Sequence, residues 1–167
     1  IELVEKAEIP VASTLLGLSS MPDNHPQYVG MLGMHGKYAP NVPTNQCDVL
    51  IASGMRFDDR VTGDLNTYAK QAKVIHIEID RSEIDKNIKT DVAINADAKQ
   101  ALKLLLPRIK PAEHAEWLES FRKLEAIEME KVINKDCYPS GDQMHMGEVI
   151  HKLSEKTAGR AILVTDV

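Results

Sequence analysis

Three apolar runs, each ending on polar or small residues, constrain this chain more than any other feature. They are Asp48-Val-Leu-Ile-Ala-Ser53, Lys73-Val-Ile-His-Ile-Glu-Ile79 and Asp91-Val-Ala-Ile-Asn-Ala96. Near-continuous apolar runs of this length are the mark of strands buried on both faces, as in a parallel sheet. Helix-length segments lie between the runs, so right-handed crossovers connecting parallel strands are the simplest architecture. The expected fold class is therefore α/β, a three-layer doubly wound parallel sheet. Two further strands are expected at Val11–Leu15 and Ala161–Thr165.

The remaining elements follow from periodicity and punctuation. Residues 1–8 place Leu3, Val4 and Ala7 on one helical face until Pro10 stops them. Residues 17–29, rich in Gly, Ser, Pro, Asp and Asn, read as loop. A helix over 37–46 is expected to be shortened by Pro40 and Pro43. Asp97 suits the N-cap of a helix over 98–109 that turns Ala98, Ala101, Leu102, Leu105 and Ile109 inward. Beyond the composition shift at Pro107–Pro111, a long amphipathic helix over 112–133 carries Trp117, Phe121, Leu124 and Val132. A linker at 138–142 and a helix over 146–157 complete the pattern.

Bulk properties exclude several function classes. At 167 residues the chain buries roughly 70% of its unfolded surface without staples. Net charge is −5 with no basic stripe, and aromatics are 4%, so neither phosphate-backbone binding nor base stacking is expected. No apolar run approaches the ~20 residues needed to cross a bilayer. Nor does the start look like a signal peptide; it reads as the last turns of a helix whose front is cut away. Cys47 and Cys137 form no metal or redox motif and are expected to be reduced thiols packed in a cytoplasmic protein.

Chemistry gathers at the strand ends. Ser13 and Thr14, Gly54 to Arg60, Glu78 with Asp80, and Asp97 all end expected strands, and in a doubly wound sheet such ends share one rim. Acidic residues there can accept from ribose hydroxyls, and small residues let backbone N–H groups approach a diphosphate. Strand ends are also polar simply because loops follow them, so both readings stay open on composition. Two glycine-framed segments sharpen the picture: Gly30-Met-Leu-Gly-Met-His-Gly36 and Gly54-Met-Arg-Phe-Asp-Asp-Arg-Val-Thr-Gly63. Arginine in the second suits a carboxylate or phosphate. The plainer reading makes Arg56, Asp58, Asp59 and Arg60 a surface turn braced by its own ion pairs. His35 is either a ligand-facing imidazole or a structural one; His76, in mid-strand, reads as packing. Met21, Met31, Met34 and Met55 suit an apolar pocket or core gaps equally. No Gly-x-Gly-x-x-Gly, Walker lysine or Ser–His–Asp pattern is present, nor the Gly-Asp-Gly followed by Asn that holds magnesium and diphosphate in thiamine enzymes.

With His-Ile-Glu-Ile-Asp at 76–80, the two glycine-framed segments resemble the middle domain of the acetohydroxyacid synthase (acetolactate synthase) catalytic subunit. The resemblance runs from about residue 1 to the end and is strongest over 10–36 and 48–87. It implies a DHS-like, Rossmann-like FAD/NAD-binding domain over 1–110 lacking its first strand, a linker with a long helix over 111–143, and the start of the thiamine-diphosphate domain over 144–167. The absent strand would leave two unpaired inner edges, a gap that Ala161–Thr165 is apolar enough to fill in its own molecule or a neighbour's. The family condenses two pyruvates, or pyruvate and 2-oxobutyrate, with decarboxylation, using thiamine diphosphate and Mg2+; FAD sits in the middle domain.

By the same resemblance, the FAD-contact positions are Ser13, Thr14, Leu15, Leu32, Gly33, Met34, His35, Gly54, Met55, Arg56, Asp58, Arg60, Val61, Glu78, Ile79, Asp97 and Ala98. Met34, Asp59 and Arg60 match positions on the substrate channel, Arg60 receiving the carboxylate of the second 2-keto acid. No catalytic residue and no metal ligand falls within the chain, so it is expected to be inactive alone. Ser13 stands where the family commonly has threonine, and Ala96 where it usually has glycine. Implied partners are the parent homo-oligomer, a regulatory small subunit and small 2-keto acids, with no nucleic acid and no membrane. Two other readings stand beside this one: a stand-alone nucleotide- or FAD-binding regulatory module, and another thiamine-diphosphate decarboxylase.

Overall fold

The computed structural model describes residues 1–164. The chain divides into two compact units, Ile1–Glu125 and a second beginning at Ala126.

In the first unit every strand pairing is parallel. Strands β1 (Val11–Ser13) and β2 (Tyr28–Met31) form one sheet. Strands β3 (Val49–Ser53), β4 (Lys73–Glu78) and β5 (Val92–Asn95) form another in that order. The architecture is thus mixed α/β with parallel sheets, but the strands fall into two sheets where a single one is expected. Among the described residues, β1 and β3 are each paired on one side only.

Strand β2 lies partly in the stretch read as loop. Its four residues include Gly30 at φ 102, and a strand this short with an internal glycine has no periodicity to betray it. Pairing with β1 makes it a strand. β3 also differs from expectation: Leu50 and Ala52 turn into the core, whereas Val49 and Ile51 on the opposite face stay 45% and 44% exposed. The run is apolar on both faces, yet packed on one. That packed face meets a cluster of Ala52, Phe57, Tyr68, Ala69 and Val74, flanked by Leu50, Met55, Ala72 and Ile88.

The helices of this unit are α1 (Glu2–Ala7), α2 (Tyr38–Thr44), the single turn α3 (Asp59–Thr62), α4 (Ala98–Leu105) and most of α5 (Ala115–Glu128). Asp97 caps α4 as its sequence position predicts, Oδ1 accepting the Gln100 N–H at 3.0 Å. Ala101 is buried and Leu104 faces out. At Pro107 the helix tightens into a 3-10 turn over Leu106–Arg108, since proline supplies no N–H to the α-helical ladder. α1 is tied to the segment beyond: Lys6 Nζ donates to the Leu106 carbonyl and the Lys6 carbonyl accepts the Ala112 N–H.

In the second unit the helical path continues beyond the expected end at 133. A π-turn over Met129–Ile133 leads into α6 (Asn134–Cys137). Helix α7 (Met146–Thr157) begins where expected, with Glu148 and Lys152 paired one turn apart. The expected strand Ala161–Thr165 does not form over its described part. Residues 161–164 have no regular structure, and Ile162 and Val164 are each 91% exposed. They form no strand here, because a lone apolar segment becomes a strand only when a partner satisfies its backbone. Thr165 lies outside the described residues. Among those residues, no helix is long and apolar enough to cross a membrane.

Candidate functional site

The parallel strands deliver their C-terminal ends to a rim, and hydrogen bonds show how the rim is joined. In the three-stranded sheet, the Gly54 N–H donates to the Ile77 carbonyl and the Ala96 N–H to the Glu78 carbonyl. Gly54, Glu78 and Asp97 therefore follow adjacent strand ends. In the two-stranded sheet, the Leu32 N–H donates to the Ser13 carbonyl at 2.9 Å. The two groups meet where the Met34 N–H donates to the Arg60 carbonyl at 2.7 Å. Gly33, at φ 100, permits this approach: a Cβ there would stand 2.7 Å from the Arg60 carbonyl oxygen. The two glycine-framed segments thus meet at one place.

Individual candidates are committed to different degrees. The Ser13 hydroxyl is buried without a hydrogen-bond partner, a polar group in search of one. Thr14 spends its Oγ1 on the Gly17 N–H of the turn that it opens, and Leu15 follows it exposed. Leu32 is buried, while Met34 and His35 lie at the surface. Gly54, at φ 63, has open space where a Cβ would be. Arg56 pairs with Asp58 at 3.1 Å, and Asp58 Oδ1 also accepts the Val61 N–H to cap α3. For those two the braced-turn reading holds. The side chains of Asp59 and Arg60 are exposed and unpartnered among the described residues, leaving the Arg60 fork open to an anion. Glu78 is buried, with Oε1 turned back to accept the Asp80 N–H at 3.0 Å; Ile79 beyond it is 71% exposed. Asp97 is occupied at one oxygen by its cap, and Ala98 opens α4.

Several residues support the loops in ways the sequence reading did not assign. His76 is fully buried, and its Nε2 meets the Met55 carbonyl at 2.8 Å, so this nitrogen carries the proton. Its Nδ1 is buried and unpartnered, and its ring packs edge-on against Phe57 at 5.0 Å. The expectation of packing is met, but His76 also holds the second loop from below. Asn87 Nδ2 donates to the Phe57 carbonyl at 3.0 Å, steadying a buried residue at φ 52. Asn95 Nδ2 bridges the Glu78 and Ile79 carbonyls at 2.9 and 3.0 Å. The bonds that these three side chains make have no local signature, because the carbonyls they serve lie 16 to 30 positions away.

A cavity of about 220 Å³ lies between the 23–29 loop and α5, lined by residues including His25, Tyr28, Phe121 and Arg122. No group of three or more His, Cys, Asp or Glu side chains able to hold a metal occurs among the described residues. Burial pushes the Tyr68 phenol up to about 12, with Cys47 a lesser cause. Burial likewise raises the Cys47 thiol, ahead of the nearby Asp48 carboxylate, so that thiol is no ready nucleophile.

Residues 1–105 match the thiamine pyrophosphate enzyme central domain. The whole chain is 41% identical over 172 residues to a protein of Methanocaldococcus jannaschii described as a probable acetolactate synthase large subunit, covering 29% of that protein. It is 39% identical over 166 residues to the acetolactate synthase isozyme 1 large subunit of Escherichia coli, with 99% of this chain and 29% of the relative covered. Against acetolactate synthase 2, chloroplastic, of Nicotiana tabacum the identity is 41% over 169 residues, covering 98% of this chain and 25% of the relative. The chain thus spans less than a third of the length of these relatives. Its parallel α/β rim, its paired glycine-framed loops and this full-length similarity place the chain in the thiamine pyrophosphate enzyme central-domain family, homologous to acetolactate synthase large subunits.

Proposed function

We propose that this chain is the FAD-carrying portion of an acetolactate synthase large subunit and that it holds the flavin nucleotide along the C-terminal rim of its parallel strands. The observation that carries the reading is the Met34 N–H to Arg60 carbonyl bond at 2.7 Å, which joins the two glycine-framed loops. The orphaned Ser13 hydroxyl and the open space above Gly54 suit a polar ligand that approaches the backbone closely. In this reading the N–H groups of His35, Met55 and Arg56 approach the diphosphate, since those of Gly33, Met34 and Gly54 are already given to Asn41, Arg60 and Ile77. Glu78 and Asp97 accept from ribose hydroxyls with the carboxylate oxygens that their structural bonds leave over. Leu15, Met55, Val61, Ile79 and Ala98 line the apolar parts.

The Arg60 guanidinium faces the carboxylate of the second 2-keto acid, flanked by Met34 and Asp59. The reaction of the whole enzyme joins two pyruvates, or pyruvate and 2-oxobutyrate, with loss of CO2. Thiamine diphosphate with Mg2+ supplies the decarboxylation and carbon–carbon bond formation; FAD here is architectural and exchanges no electrons. Residues 1–110 form the middle domain of a doubly wound sheet, 111–143 its connection, and 144–167 the opening of the diphosphate-binding domain. A homo-oligomer and a regulatory small subunit are the proposed partners, the latter supported by the "large subunit" in the relatives' names, and the cytoplasm is the proposed compartment.

Titration of FAD against the purified chain tests the reading. Saturable quenching of flavin fluorescence is expected, and quenching no greater than with an unrelated protein would overturn it. Acetolactate formation by the chain with thiamine diphosphate, Mg2+ and FAD is expected to be nil.

A further inference from the structure

The turn that carries His35 is held by a side chain from the helix that follows it. Asn41, in α2, accepts the Gly33 N–H at Oδ1 (2.9 Å) and donates from Nδ2 to the Gly33 and Lys37 carbonyls, both at 3.0 Å. A reversed amide would set its oxygen against two carbonyls and its NH2 against an N–H, so the orientation is fixed by chemistry. Both polar groups of Gly33 are thereby gripped by one side chain.

Gly33 is also the residue whose missing Cβ lets the Arg60 carbonyl approach, and that carbonyl takes the Met34 N–H. The chain of contacts is continuous: Asn41 grips Gly33, Gly33 admits Arg60, and Arg60 binds Met34. α2 itself is anchored independently at its far end. There Asn45 Oδ1 accepts the Ala69 N–H at 3.0 Å, and Gln71 Nε2 donates to the Asn45 and Cys47 carbonyls at 2.9 and 2.7 Å. Loss of the Asn41 amide would thus free the turn without releasing the helix.

We infer that Asn41 is a positioning residue: it locks the two glycine-framed loops into one ligand-carrying unit and thereby sets the places of His35 and Arg60. For the identity of the ligand this rests on the flavin reading above. Asn41 does not touch the ligand, because both ends of its amide are consumed by backbone.

The test uses the full 167-residue chain, wild type and the variants Asn41→Asp and Asn41→Ala, with residue-resolved amide hydrogen exchange and FAD titration side by side. Asn41→Asp preserves shape but turns an acceptor toward two carbonyls. In both variants the Gly33 and Met34 amides are expected to exchange on the order of tenfold faster while those of Val74–Ile77 keep wild-type protection. The FAD dissociation constant is expected to rise on the order of tenfold. Wild-type exchange at Gly33 and Met34 would overturn the inference, as would an equal loss of protection in β4, which marks a general stability role. Faster exchange at the turn with unchanged FAD affinity would overturn the link to the ligand. If the wild-type chain takes up no FAD, the flavin reading fails, and the exchange pattern still decides whether Asn41 locks the loops.

Discussion

Tyr68 shows what a single buried polar atom does to a core. Its hydroxyl is buried and unpartnered beside the Phe57 ring, at 6.3 Å between centroids. Removing such a group without changing the ring leaves nothing unsatisfied. Tyr68→Phe is therefore expected to keep or raise the melting temperature, and a loss above about 1 kcal/mol in denaturant unfolding would contradict the assignment. The pH dependence has a definite sign. The phenol ionises near 10 when unfolded and at about 12 in the fold, so the unfolded state releases its proton first. Stability is intact below about pH 10 and falls as pH rises from there to about 12. Tyr68→Phe is expected to flatten that part of the alkaline unfolding curve. His76 behaves oppositely, because its Nε2 is used even though its Nδ1 is not. His76→Ala leaves a cavity and a buried Met55 carbonyl without its donor, a loss of about 3 kcal/mol readable in urea unfolding. Gly33→Ala sets a Cβ against backbone 2.7 Å away at φ 100. A loss of at least about 2 kcal/mol and of FAD uptake is expected.

Among the elements, α4 was legible at its start but not at its end, stopping at Leu105 where a helix to 109 was expected. Asp97 and the inward Ala101 follow from local chemistry, since a cap acts within one turn of its own position, whereas Pro107 tightens the last turn earlier than the apolar pattern suggested. Asp97→Ala is expected to cost about 1 kcal/mol in thermal unfolding, whereas Asp97→Asn, which can still cap, is expected to be nearly neutral. Strand β2 was not legible, because Tyr28-Val-Gly-Met becomes a strand only by pairing with β1. β3 was legible as a strand but not in its burial. Hydrophobicity reports what a face tolerates, and the neighbours decide whether anything covers it. The same distinction explains Ala161–Val164, apolar enough for a strand and left exposed.

For the whole molecule, the division into two units places the exposed stretch Ser140–His145 outside the parallel-sheet unit. Limited digestion with a protease of broad specificity is expected to cut there first and to leave a fragment containing Ile1–Glu125 intact, as read by mass spectrometry. First cuts within Gly54–Gly63 would show that the second loop is not held by His76, Asn87 and the Arg60 carbonyl. The candidate site divides in the same way. Its loops announce themselves through glycine, charge and their place after apolar runs, and their membership of a family is written in contiguous residues. The sequence by itself determined the strand–loop order, the cap of α4 and the identity of the rim residues, because these depend on neighbours within a few positions. Only the tertiary structure decided that the two glycine-framed loops meet, that β2 exists, and that Asn41 and His76 bond to the loops. Those outcomes depend on which distant backbone groups each side chain meets, and burial makes leaving such groups unpaired costly.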